Sequence, residues 1–90
     1  IYISGEDNVV TLTASTLTGN EANNDGGAIY IEGIVPDSDP VTPTNNQLIA
    51  RFNSFFDNYS YNNGGGIYID DNAIATLFGS VVLGNNEWSV

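Results

Sequence analysis

The sequence predicts an all-β fold: a parallel β-helix (β-solenoid) of about three coils, built as one module over residues 1–90. Three observations predict it. The phrase NDGGAIYI at residues 24–31 returns as NNGGGIYI at 62–69, and the chain opens on IYI. The whole chain follows the phrase: an offset of 38 sets Ile29 on Ile67, Asn20 on Asn58 and Leu17 on Phe55. An offset of 27 sets Asn58 on Asn85, and one of 28 sets Ile1 on Ile29. No stretch carries an apolar 3.6-residue period, and Gly, Asn and Thr are too dense for helices.

The elements follow in order within each copy. The first strand is IYI, with Ile1, Ile3, Ile29, Ile31, Ile67 and Ile69 inward and Tyr2, Tyr30 and Tyr68 outward. The second is VVTLTAS, LIARFN or AIATLFG. Strict alternation places nine residues inward in aligned triplets: Val10, Leu12 and Ala14; Leu48, Ala50 and Phe52; Ala75, Leu77 and Gly79. Thr11, Thr13, Gln47, Arg51 and Thr76 then face outward. The third strand lies in TLTGN, FFDN and VLGN, and a turn leads to the glycines. Gly26, Gly27, Gly64 and Gly65 sit where the chain must turn sharply, and a positive φ is cheap for Gly. Asn20, Asn58 and Asn85 align, and stacked carboxamides can bond to one another along the column. The middle copy is longer by ten residues, the difference between offsets of 38 and 28. The surplus falls in residues 32–46, which hold all three prolines, Pro36, Pro40 and Pro43, and read as a projecting loop.

The pairs GGAI (26–29) and GGGI (64–67), with FFDN (55–58), resemble the GGA[ILV] and FxxN motifs of polymorphic outer membrane proteins. The likeness covers the chain outside the 32–46 insertion. LTGN (17–20) and VLGN (82–85) carry Leu and Val where the family has Phe, and one Gly-Gly-Ala is Gly-Gly-Gly here. The resemblance implies a right-handed parallel β-helix from the passenger region of an autotransporter-type protein, with adhesin roles.

Composition bounds the chemistry. Eleven acidic residues face one basic residue, Arg51, for a net charge of −10. Such a chain repels phosphate backbones and anionic lipid, so nucleic acid is excluded as a partner. No apolar run approaches the length of a spanning helix, which argues against membrane insertion of this segment. With neither Cys nor His, the usual zinc, iron and thiol sites are absent. The balance of β-branched, aromatic and polar residues suits an extracellular or cell-surface protein.

Several residues invite a functional reading. Glu32 and Asp70 fall in one column with Ser4, and Asp71 follows, so one functional reading has Glu32, Asp70 and Asp71 as calcium ligands. The plainer reading is a solvated acidic edge. Asp37 and Asp39 in the insertion are weaker candidates. Tyr2, Tyr30 and Tyr68 form an exposed aromatic column that could stack on sugar rings, or simply on itself. The sequon Asn58-Tyr59-Ser60 conflicts with an inward Asn58. Thr42 and Thr44 beside Pro43 could accept O-linked sugar. No phosphate loop is present, since the glycine phrase lacks the helix and Lys such loops need. Catalysis has little support, because Asp57 and Arg51 have no convergent partners.

These readings point to a structural module. It would be a fibre subunit or a segment of a repeat adhesin, assembling head-to-tail on copies of itself or on neighbouring repeats, with a possible glycan or host-surface ligand. A carbohydrate-binding or carbohydrate-cleaving β-helix is the alternative. The start at Ile1 suggests a processed product or a piece of a longer protein, and Val90, aligned with Asp25 and Asn63, suggests a cut after a whole number of coils.

Overall fold

A computed structural model describes residues 1–33 and 45–87. The prolines of the insertion, with Asp37, Asp39, Thr42 and Thr44, lie outside the described residues, as does Val90. The first coil holds β1 (Tyr2–Ile3), β2 (Val9–Thr13), β3 (Thr16–Thr18) and β4 (Glu21–Ala22). The second holds β5 (Ile29–Ile31), β6 (Gln47–Arg51), β7 (Ser54–Phe56) and β8 (Tyr59–Ser60). The third holds β9 (Ile67–Ile69), β10 (Ile74–Phe78), β11 (Val81–Leu83) and β12 (Asn86–Glu87).

Equivalent strands pair in parallel and form four three-stranded sheets, each with its second-coil strand in the middle. We label them A (β1, β5, β9), B (β2, β6, β10), C (β3, β7, β11) and D (β4, β8, β12). This is the three-coil all-β parallel solenoid that the offsets predict. The register is the sequence offset itself: Tyr2 pairs with Tyr30 and Tyr30 with Tyr68, while Leu17 pairs with Phe55 and Phe55 with Val82.

The core is the inside of the second coil. Ile29, Ile31, Leu48, Ala50 and Phe55 are completely buried. Val10, Leu12 and Leu17 of the first coil, and Ile67 and Ala75 of the third, pack against them. Each outer coil has a neighbour on one side only, so apolar groups that point inward there are incompletely covered. Leu77, beside buried Ala50, is 39% exposed, and Ile69, beside buried Ile31, is 46% exposed. Ile1 precedes β1 and is also exposed.

The inward set needs a correction at Ala14, Phe52 and Gly79. These three occupy the corner between sheets B and C with φ of 49°, 57° and 61°. A left-handed residue breaks the pleat, so the inward set stops two residues earlier, at Leu12, Ala50 and Leu77. Phe52 is 60% exposed, and its ring meets Phe78 edge-on at 5.6 Å. A Cβ at Gly79 would press on the Phe52 ring.

Phe55 fills the centre of the described core. Phe55→Ala should lower unfolding free energy by about 3–5 kcal/mol, the usual cost of an aromatic-sized cavity. Phe56→Ala, at the adjacent outward position, should cost under about 1 kcal/mol. Urea titrations followed by circular dichroism check the difference.

Candidate functional site

Each coil must leave one sheet and enter the next, and at every such corner backbone groups leave the strand ladders. Most of the described corners before sheets B, C and D share one solution: a left-handed residue is followed by a polar side chain, with Ala73 the exception. At the C–D corner, Gly19, Asp57 and Gly84 (φ 67°, 55° and 68°) precede Asn20, Asn58 and Asn85. At the B–C corner, Ala14, Phe52 and Gly79 precede Ser15, Asn53 and Ser80. At the corner before sheet B, Asp7 and Asn72 (φ 54° and 65°) precede Asn8 and Ala73.

The Asn20–Asn58–Asn85 column is bonded along its whole length. The Asn20 amide N–H donates to Asn58 Oδ1 at 3.0 Å, and Asn20 Nδ2 donates to the same oxygen at 2.9 Å. The Asn58 amide N–H and Nδ2 donate to Asn85 Oδ1 at 3.0 and 2.7 Å. The carboxamides also reach back: Asn58 Nδ2 donates to Leu17 O at 3.0 Å, and Asn85 Nδ2 to Phe55 O at 2.9 Å. Asn58 is completely buried. Its nitrogen is engaged twice, so the folded chain has no place for a glycan on the 58–60 sequon.

Two further columns carry the same kind of bond, Ser15–Asn53–Ser80 and the aligned pair Asn8–Asn46. The Ser15 amide N–H donates to Asn53 Oδ1 at 2.8 Å, Asn53 Nδ2 donates to Leu12 O at 2.8 Å, and the Asn53 amide N–H donates to Ser80 Oγ at 3.2 Å. The Asn8 amide N–H donates to Asn46 Oδ1 at 3.0 Å, and Asn46 Nδ2 donates to Gly5 O and Glu32 O, both at 2.8 Å. Asn46 and Asn53 are as buried as Asn58. The offset that pairs Ser15 with Asn53 was the available signal. Serine conceals the column because its hydroxyl replaces the carboxamide.

Between sheets D and A lies the glycine turn. Gly26 and Gly64 are left-handed, with φ of 69° and 63°. Gly27 and Gly65 serve a different need, close approach. A Cβ on Gly27 would strike the Gly65 carbonyl and the Tyr59 backbone, and one on Gly65 would strike the Asn86 backbone. Gly64 donates its amide N–H to Glu87 Oε2 at 2.7 Å.

Outside sheet A, Tyr2, Tyr30 and Tyr68 stack with ring centroids 5.1 Å apart at both steps. Desolvation raises the Tyr2 phenol above its ordinary value, with the Glu32 carboxylate adding to the effect. Desolvation followed by Asp70 does the same at Tyr30 and Tyr68. The rings contact one another along the column, and Tyr2 at its end is the most open.

The acidic residues beside this column do not make a cation cage. Among the described residues, no three acidic side chains form a group able to hold a metal ion, so Glu32, Asp70 and Asp71 are not brought together as ligands. Asp70 Oδ1 accepts the Asp71 amide N–H at 2.8 Å. Arg51 is exposed at the end of sheet B, and Asp57 holds a corner.

Asn58→Leu removes an oxygen and a nitrogen that four groups use. It should lower unfolding free energy by about 2–4 kcal/mol, because buried partners lose their bonds. The same change at exposed Asn20 should cost less. Paired thermal melts measure both.

Two segments match the model of the Chlamydia polymorphic membrane protein (Chlamydia_PMP) repeat, residues 14–32 and 54–70. The first starts at the B–C corner and the second at the first residue of β7, and both run through sheets C and D and the glycine turn into the next coil's strand of sheet A. No curated protein and no solved structure matches the chain.

Proposed function

We propose that this chain, which carries two polymorphic membrane protein repeats, is a structural segment of a surface-displayed shaft. The shaft lengthens by adding coils along its axis, and it serves as a fibre subunit or as part of a repeat adhesin. One observation carries the reading. All four sheets keep a single register through all three coils, and the buried carboxamides of Asn46, Asn53 and Asn58 are bonded to neighbouring coils. Among the described residues no buried side-chain polar atom lacks a partner. The interior is therefore committed to holding coils together, and the outward faces remain for contact with the surroundings.

The repeat match supports an outer-membrane or surface location. The net charge of −10 keeps shafts from clumping sideways while short-range bonds act along the axis. A glycan or host-surface ligand would meet the outward columns, where Tyr2 offers the most open ring. Calcium, if bound, would use fewer protein carboxylates than a full cage and complete its shell with backbone oxygens and water.

Surface display is tested on cells that make the native protein. Antibodies raised against residues 1–90 should label intact cells, and external protease should abolish the label. Labelling only after permeabilisation would overturn the surface reading.

A further inference from the structure

We propose that Asn63 is a self-modification site: its carboxamide closes onto the Gly64 nitrogen, releases ammonia and leaves a carboxylate that loosens the stacked glycine turns of the first and second coils. The inference goes beyond the reading above and does not depend on surface display.

The sequence singles out the position. Asn63 is the one asparagine of this chain followed by glycine, and Asp25 is the one aspartate so placed. The two dipeptides, Asp25-Gly26 and Asn63-Gly64, fall in one column. A backbone nitrogen reaches the preceding carboxamide most readily when its own residue has no Cβ to restrict the approach. The buried asparagines, Asn46, Asn53 and Asn58, are followed instead by Gln47, Ser54 and Tyr59.

The structure leaves Asn63 open to the reaction. It is exposed, in the turn between β8 and β9 and outside every strand. Among the described residues, its Nδ2 donates only to Asp25 Oδ1, at 3.2 Å. Turning the side chain onto Gly64 therefore breaks one exposed hydrogen bond, while the Asn63 amide N–H keeps its own bond to Asp25 Oδ1 at 2.9 Å. Asn58 is held far more firmly, with Nδ2 engaged by Leu17 O and Asn85 Oδ1 inside the core. The Gly64 N–H is directed to a carboxylate, Glu87 Oε2 at 2.7 Å. That group is able to accept the proton that the attacking nitrogen gives up.

The step needs no reagent other than water. Gly64 N bonds to Asn63 Cγ, the Gly64 amide proton is lost, and Nδ2 departs as ammonia, which leaves a succinimide. Water then opens the ring at either carbonyl. One opening gives an aspartyl residue. The other gives an isoaspartyl residue, whose main chain runs through Cβ and Cγ.

Either product weakens the contact between coils. The carboxamide nitrogen that faced Asp25 is replaced by an anionic oxygen, so acceptor meets acceptor and like charges oppose each other across one coil spacing. The isoaspartyl form also inserts an extra backbone atom before Gly64. The turns have no slack for it. Gly26 N–H donates to Asn63 O at 2.9 Å and Gly27 N–H to Gly64 O at 3.0 Å, and Gly27 lies so close to the Gly65 carbonyl that no Cβ fits.

The purified chain would be held folded at neutral pH and physiological temperature, and in parallel unfolded in urea. Peptide mapping by mass spectrometry locates each amide converted to acid, and isoaspartyl methyltransferase labels the isoaspartyl product. The proposal expects the folded chain to convert at Asn63 before any other asparagine, faster as the pH is raised, and Asn63→Gln to remove the signal. Melts followed by circular dichroism read the consequence. Asn63→Asp should melt below the unaltered chain, and the same change made in an Asp25→Ser background should lose much less, because no second carboxylate then faces the new one. Conversion confined to the urea-treated chain, or first at another asparagine, would overturn the assignment. Asn63→Asp melting with the unaltered chain, or losing as much in the Asp25→Ser background, would overturn the effect on the turns.

Discussion

Hydrogen bonds that run along the solenoid axis are the constraint on which everything else rests. A single coil has strands too short to pair with one another and an apolar lining too thin to close on itself. Its backbone groups find partners one coil above and one coil below. The same step that satisfies the strands also sets Ile29 against Ile67 and Leu17 against Phe55. Register, burial and backbone bonding are thus one decision, and a slip of one residue would undo all three.

The corners impose the second condition. A strand ladder accounts for backbone groups along its length but leaves them behind where the chain changes sheet. A left-handed residue makes the bend, and the next side chain takes up the stranded groups of the neighbouring coil. Where that side chain is Asn, one carboxamide accepts from two donors and donates to a carbonyl, as Asn58 shows. Where it is Ser, the hydroxyl does part of this work, as at Ser80. Asparagine is therefore abundant for a bonding reason that also explains its positions.

Much of this was legible in the sequence because length variation is confined to one loop. Offsets of 38, 27 and 28 translate directly into the strand pairing, and the glycine phrase marks the turn. Alternation within a strand identified Leu48 and Ala50, but it could not announce where the pleat would stop. Nothing in Phe52 signals a left-handed conformation, which Gly79 in the same column would have suggested. Glu32 and Asp70 share a column, yet column position does not fix where a flexible carboxylate points, and Asp70 bonds to the neighbouring Asp71 amide. Charge is partitioned as well. Among the described residues, the strands of sheets B and C hold no acidic residue, and the acidic ones lie in sheet D or in the turns.

If axial bonding is the governing constraint, stability must be layered: greatest in the coil with neighbours on both sides, and lower in the outer two. Native-state hydrogen exchange on the isolated chain measures this residue by residue. The account predicts that the slowest amides are those of the second coil, Ile29, Ile31, Ala50, Phe55 and Asn58, exchanging only by global unfolding. Their equivalents in the third coil, Ile67, Ile69, Leu77, Val82 and Asn85, should exchange faster by partial opening. Uniform protection across the three coils, or slowest exchange in an outer coil at concentrations where the chain is monomeric, would contradict it.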